Sequence, residues 1–232
     1  MKNFWGFYDN GIYRVGCNGA TIYVYDNSDN ELGRIKVKPS VYCGAFQPDT
    51  NIFVAKAVEG RLFVCDLSKM KIIKKIFITN RCPQDDGFDF SPDGKFFYNI
   101  ERRERTTQTQ LTVYRTSDYE AEKALFCDKT DIVLKEMEFD AQTGECYVLG
   151  FMRRIEDGVI SNGFVGKFDG SEISEVKALE IAAFEDLQTY KEWQRFGFTK
   201  QKAKWSLDYR PKYANCPHFT LKQFYDGLQA NC

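Results

Sequence analysis

Phe90-Ser91-Pro92-Asp93-Gly94-Lys95-Phe96-Phe97-Tyr98-Asn99 sets a tight polar turn between an aromatic residue and an aromatic-rich run. Pro92 presets φ for a turn, Asp93 can accept hydrogen bonds from the backbone beyond it, and Gly94 tolerates positive φ. The run that follows is of the ring-rich kind that fits a pleated, half-buried surface. Taken alone, the stretch is a hairpin. It decides the fold only if the chain uses it more than once.

The pattern recurs. Cys43-Gly44-Ala45-Phe46-Gln47-Pro48-Asp49 matches Gly87-Phe88-Asp89-Phe90-Ser91-Pro92-Asp93, and Glu136-Met137-Glu138-Phe139-Asp140-Ala141-Gln142 is a weaker copy followed by Thr143-Gly144. The anchoring residues Phe46, Phe90 and Phe139 lie 44 and 49 residues apart, and a degenerate first copy puts Phe7 39 residues before Phe46. A second family of segments interleaves with the first: Thr21-Ile22-Tyr23-Val24-Tyr25-Asp26, Arg61-Leu62-Phe63-Val64-Cys65-Asp66, Gln110-Leu111-Thr112-Val113-Tyr114-Arg115 and Gly163-Phe164-Val165-Gly166-Lys167-Phe168-Asp169. Each is followed by one more short run, at 33–37, 72–78, 121–126 and 173–179. Every unit therefore reads as four short strands joined by turns, at a period of about 40–50 residues that is typical of propeller blades. A β-sandwich with hairpins of similar length is the competing arrangement, but it does not account for both families of segment recurring in the same order.

On these residues the chain resembles the WD-repeat and YVTN-type β-propeller repeat family. FSPDGKFFYN is similar to that family's strand–turn–strand corner. Ile22-Tyr23-Val24-Tyr25-Asp26 and Leu62-Phe63-Val64-Cys65-Asp66-Leu67 resemble its third strand, which often ends in Trp-Asp or Tyr-Asp. The resemblance covers about residues 1–180 as four repeats and lacks the full Gly-His…Trp-Asp set. It implies an all-β fold, a β-propeller-like array of about four four-stranded blades (1–180), with a C-terminal helical extension (181–232) packed on it. An open array would expose an unpaired edge, so the extension is expected to cover it.

The texture changes near Ile181. Phe184, Leu187, Tyr190, Trp193 and Phe196 recur every three residues, a row that drifts around a helix of 3.6 residues per turn, and Gly197 is a natural stop. A second helix is expected after Pro217, with Thr220 as N-cap and Leu221, Phe224, Tyr225 and Leu228 on one face. Between them Lys200, Lys202, Lys204, Trp205, Arg210, Lys212 and Tyr213 mix cations with rings. That mixture suits single-stranded nucleic acid, but a formal net charge of -1 opposes general attraction to polyanions. A solvated basic loop whose rings pack inward is the reading adopted.

Composition excludes several classes. The N-terminal MKNFWGFYDNG has no apolar signal core, and no run of about 18 apolar residues exists to span a bilayer. A cytoplasmic location without membrane insertion is therefore expected. Eight cysteines occur without a Cys-x-x-Cys pair, and Cys65 and Cys146 sit in apolar runs as small buried hydrophobes. The one histidine, His218, lies two residues from Cys216. Two ligands so placed do not make a structural zinc site, and no phosphate-loop, dinucleotide or nucleophile-elbow motif occurs. No metal, cofactor or catalytic residue is assigned. Asp85-Asp86 is taken to open a turn into the following strand.

In propellers the loops after the second strand and after the fourth gather on one face. Here those loops carry Arg61, Arg81, Arg102, Arg103, Arg105, Arg153 and Arg154. Arginine recognises carboxylates bidentately and is enriched at interface hot spots. The expectation is a non-enzymatic protein–protein interaction module that docks a protein partner with an acidic surface on this rim, one form being an inhibitor or immunity-type protein. Against it stands pairing of these arginines with Glu101, Glu104, Glu156 and Asp157 on a solvated face. Two other functions are a propeller hydrolase of the lactonase type and a scaffold that self-associates, as a homodimer, through an open blade edge.

Overall fold

A computed structural model describes residues 3–78, 86–102, 108–154, 156, 158–205 and 210–227. The chain is all-β with a few helices. Among the described residues it forms fourteen strands: β1 (Gly6–Asp9), β2 (Arg14–Tyr25), β3 (Glu31–Phe46), β4 (Ile52–Ala57), β5 (Arg61–Asp66), β6 (Lys71–Phe77), β7 (Phe88–Phe90), β8 (Phe96–Arg102), β9 (Thr109–Arg115), β10 (Ala121–Leu125), β11 (Ile132–Phe139), β12 (Cys146–Arg153), β13 (Ile160–Phe168) and β14 (Ile173–Leu179). Helices α1 (Ile181–Arg195), α2 (Lys200–Trp205) and α3 (Leu221–Tyr225) follow. The strands make three antiparallel meanders, of six (β1–β6), four (β7–β10) and four (β11–β14). The chain divides into two compact units, 1–85 with 193–210, and 86–192 with 211–232, so the division falls inside α1.

The strand grammar holds at the anchors. Phe46, Phe90 and Phe139 each close a strand, and each is followed by a polar turn into the next. At the turn after Phe90, the Ser91 hydroxyl donates to Asp93 Oδ1 at 2.7 Å, Lys95 N–H donates to the same oxygen at 3.1 Å, and Gly94 N–H closes on the Ser91 carbonyl at 2.8 Å. After Phe139, Asp140 Oδ1 takes the N–H groups of Gln142 and Thr143 at 3.2 and 2.8 Å.

One expectation is corrected. The first two expected four-stranded units are a single six-stranded sheet, because β2 fuses the second and third expected strands of the first unit and β3 runs from its fourth into the first strand of the next. No Pro or Asp interrupts 14–25, and Gly19, with φ of +57°, lets β2 bend without ending. There Gly19 lies opposite Val41 while Thr21 lies opposite Lys36, so four residues of β3 answer one residue of β2. Val15, Ile22, Ile35, Val41, Phe53, Phe63 and Cys65 share one buried core, with Tyr8 and Ile72 from the two outer strands packed against it. Met70, in the turn before β6, packs onto Gly33 in β3.

In the second unit the two four-stranded sheets share a core of Ile100, Leu111, Leu134, Met137, Val148 and Phe164. Their first strands are neighbours: Gly87 N–H donates to the Lys135 carbonyl at 2.7 Å. Their last strands, β10 and β14, are almost wholly exposed, as is every second residue of β6 in the first unit.

The row on α1 is buried from Phe184 through Leu187, Tyr190 and Trp193 to Phe196. In the second unit Phe184 packs on Gly163 and edge-on to Phe151, at 5.6 Å between centroids. In the first unit the helix stops as expected. Gly197 takes φ of +67°, and its N–H and that of Phe198 donate to the carbonyls of Gln194 and Trp193 at 2.8 and 3.0 Å. The basic stretch expected as a loop contains helix α2, with Lys202 buried over the Phe196 ring at 5.0 Å. Tyr213 packs on Phe219 at 4.6 Å, as an inward-facing ring should. Thr220 caps α3 with a full capping box, Gln223 N–H donating to its hydroxyl at 3.1 Å. Leu228 lies outside the described residues.

Candidate functional site

The seven arginines of the expected rim have different fates. Arg81, Arg103 and Arg105 lie outside the described residues. Arg61 begins β5 in the first unit, half-buried, with its guanidinium 5.6 Å from the Phe77 ring centroid. Its Nε is buried without a hydrogen-bond partner among the described residues.

Arg102, Arg153 and Arg154 belong to the second unit, and the topology brings them to one end of it. Arg102 ends β8 and faces Thr109 on β9, whose hydroxyl oxygen accepts from Leu134 N–H at 2.7 Å. Leu134 in turn pairs with Gly150 on β12, three residues before Arg153. Strands β8 and β12 therefore finish at the same end of the unit.

Arg102 is held from below. Its Nε donates to Asp86 Oδ2 at 3.0 Å, and Lys135 Nζ donates to Asp86 Oδ1 at 2.8 Å. Asp86 is fully buried and the Lys135 side chain is 10 % exposed. Asp86, just before β7, is thus also the shared, fully buried anion of Arg102 and Lys135. Removing one member of such a set strands a charge in low dielectric.

Glu101 pairs with no arginine among the described residues. Strand alternation turns it away from Arg102 into the buried interior. There its carboxylate accepts from Asn99 Nδ2 (3.1 Å), Gln110 Nε2 (3.1 Å), the Thr112 hydroxyl (2.7 Å) and the Tyr114 hydroxyl (2.7 Å). Glu104 and Asp157, the other acids expected to neutralise the rim, lie outside the described residues, and Glu156 is exposed.

At the open end stands the hairpin joining β12 to β13. Arg153 donates from Nη2 to the Thr130 carbonyl at 2.8 Å, which spends one of its five donors. Arg154 N–H donates to the Val159 carbonyl at 3.0 Å and closes the hairpin. Val159 is 50 % exposed and Ile160 39 %. Two aliphatic side chains in water beside two arginines are an interface composition, an apolar anchor with donors at its margin. Sequence reasoning weighed only the charges here. The available signal was Val159-Ile160 directly after Gly158, an apolar pair in a turn.

His218 is exposed, and no group of acids, histidines and cysteines that could hold a metal exists among the described residues. Cys216 is disulfide-bonded, so it cannot join His218 in ligation. Cys65 and Cys146 are buried free thiols, and burial raises both above the ordinary thiol range, which makes them poor nucleophiles. Among the described residues no helix is long and apolar enough to cross a membrane.

Comparison with family models and with curated proteins finds no match for this chain.

Proposed function

We propose that this protein is a propeller-like interaction module that binds another protein through the end of its second unit where β8 and β12 finish. The blade reading is supported by two meanders that run in sequence order, with neighbouring first strands, a shared core and exposed last strands. That arrangement is how blades fan out from an axis. The docking reading rests on one observation: Val159 and Ile160 stand exposed beside Arg153 and Arg154 on a single hairpin. The partner's matching surface carries carboxylates around a shallow apolar patch. Neutralisation of a toxin or effector is one form of this function, and it predicts a one-to-one complex.

The test is quantitative affinity purification from the native host with cross-linking mass spectrometry. The wild-type chain, an Arg153→Glu/Val159→Asp variant and a Lys71→Glu control are compared. The partner should cross-link near 153–160, disappear with the hairpin variant and persist with the control. Equal recovery by all three would remove the hairpin from the interface.

A second reading has its own observation. Ile73 and Phe77 are 47 % and 57 % exposed on β6, an outer strand of the first unit's sheet. Apolar residues on a sheet edge favour strand addition by a second copy. A homodimer by light scattering that dissociates on Phe77→Asp would support it, and a monomer at all concentrations would end it.

A further inference from the structure

At the opposite end of the second unit, away from the arginine hairpin, the turns after β11 and β13 border an open pocket of about 430 Å³. That falls in the size range of small-ligand sites. Tyr98, Phe139 and Phe168 line it, with ring centroids 5.1 Å apart for Tyr98–Phe139 and 6.3 Å for Tyr98–Phe168, at steep interplanar angles of 59° and 81°. Rings set at such angles form an open aromatic corner whose electron-rich faces attract cations. Tyr98 hydroxyl has no hydrogen-bond partner among the described residues.

The polar lining has one sign in excess. Glu145, Asp169 and Glu175 line the cavity against a single lining cation, Lys167. Lys167 spans the carboxylates of Glu145 and Glu175 at 3.4 and 3.3 Å. The Tyr147 hydroxyl donates to Glu145 Oε2 at 2.8 Å, and the Tyr225 hydroxyl to Glu175 Oε2 at 3.2 Å. Glu175 Oε1 accepts no bond among the described residues, and Asp169 spends Oδ1 on Ser171 and Glu172 while Oδ2 accepts none. At the rim Lys123 already delivers an ammonium to the Gly170 carbonyl at 2.7 Å.

An open aromatic corner beside carboxylates with unused oxygens is complementary to an alkylammonium group, whose methylenes meet the rings while its charge meets Glu175 and Asp169. We propose that this cavity binds alkylammonium ligands, presented either as a small free amine or as a lysine side chain of another protein. This site is independent of the hairpin and does not rest on it.

The experiment is an amide chemical-shift titration of the full chain at constant ionic strength with n-butylammonium, N-acetyl-lysine methylamide and n-butanol. For n-butylammonium, saturable shifts are expected at Gly144, Gly170 and Ser174. Affinity should be about tenfold weaker for the neutral alcohol. Glu175→Gln, on an exposed side chain that keeps an oxygen for the Tyr225 hydroxyl, should weaken ammonium binding about tenfold, with changes in the ligand-free spectrum confined to the surroundings of Lys167 and Tyr225. Tyr98→Leu should abolish it. Binding of both amines supports the site and assigns a protein lysine as a source. Binding of n-butylammonium alone supports it with a free amine as the source. Absence of saturable shifts with either amine, or equal binding of the alcohol, overturns the proposal.

Discussion

In the first unit the sheet β1–β6 closes over Val15, Ile22, Ile35, Val41, Phe53 and Phe63, with Cys17 and Cys65 as thiols held protonated by burial. In the second, the buried set includes Asp86, Glu101, Lys135, Glu136 and Lys191 among the aliphatic side chains. Lys191 is the clearest case. Its ammonium, which burial disfavours, is held by Glu138 Oε2 at 2.5 Å and the Phe219 carbonyl at 3.0 Å. The same Glu138 oxygen accepts from Leu221 N–H at 2.8 Å, so one carboxylate ties β11, α1 and the C-terminal segment together. The first unit also buries Lys56, Asp66 and Lys202, but in the second the buried charges are joined across strands, Asp86 to Arg102 and Lys135, and Lys191 to Glu138. Close packing tolerates conservative exchange of similar volumes. A buried charge network does not tolerate loss of one member.

The largest predicted effect tests that contrast directly. Asp86→Asn keeps the shape of the side chain but leaves Lys135 uncompensated, and should destabilise by about 3–5 kcal/mol. Ile22→Leu in the first unit keeps volume and should cost less than about 1.5 kcal/mol. Urea unfolding followed by hydrogen exchange assigns each loss to its unit. Equal costs for the two substitutions would break the comparison.

The second effect is a pH dependence carried by Asp89 in the second unit. Desolvation pushes the carboxyl of Asp89 up to about 7, opposed by the N–H groups of Phe139 and Phe90 that donate to it at 2.9 and 2.8 Å. In the unfolded chain an aspartate releases its proton near pH 4. Between about pH 4 and pH 7 the folded protein then binds the extra proton, so stability falls as pH rises across that window and levels off above it, by a few kcal/mol at most. Asp89→Asn should flatten the difference. A melting temperature whose pH profile is unchanged by Asp89→Asn would show that the carboxyl does not carry it.

The smallest effect sharpens the first unit. Gly197 sits at positive φ, and a Cβ there would collide with the Phe7 carbonyl oxygen. Gly197→Ala should cost at least about 1–2 kcal/mol, and faster exchange should appear at Tyr8, whose hydroxyl donates to the Arg195 carbonyl at 2.8 Å at the end of that helix. Unaltered exchange around Tyr8 would mean that the helix end does not anchor β1.

Much of this was legible beforehand wherever the signal is local. Phe46, Phe90 and Phe139 end their strands because each precedes a turn built from residues within about five positions. Gly197 and Thr220 end and begin helices because capping is an interaction between near neighbours. Val159 and Ile160 were passed over because a strand's aliphatic residues look alike whether buried or exposed. Asp86 was read as a turn residue because its partners lie 16 and 49 positions away. Glu101 was read as a rim charge although alternation along β8 points it inward, to partners that include Tyr114, 13 positions on.

The sequence by itself determined an all-β chain, the corners where its strands turn, and the helical ending from Ile181, since dihedral preference, turn chemistry and capping act over a few residues. Only the tertiary structure decided that β2 runs on through Gly19 and that β3 continues from one expected unit into the next, making a six-stranded sheet. It alone buried Asp86 and Glu101, left the arginine hairpin outside, and gathered the aromatic pocket beside Glu145 and Glu175. Those outcomes depend on which strands meet across gaps of tens of residues, and pairing at that range is set by the packing of whole sheets.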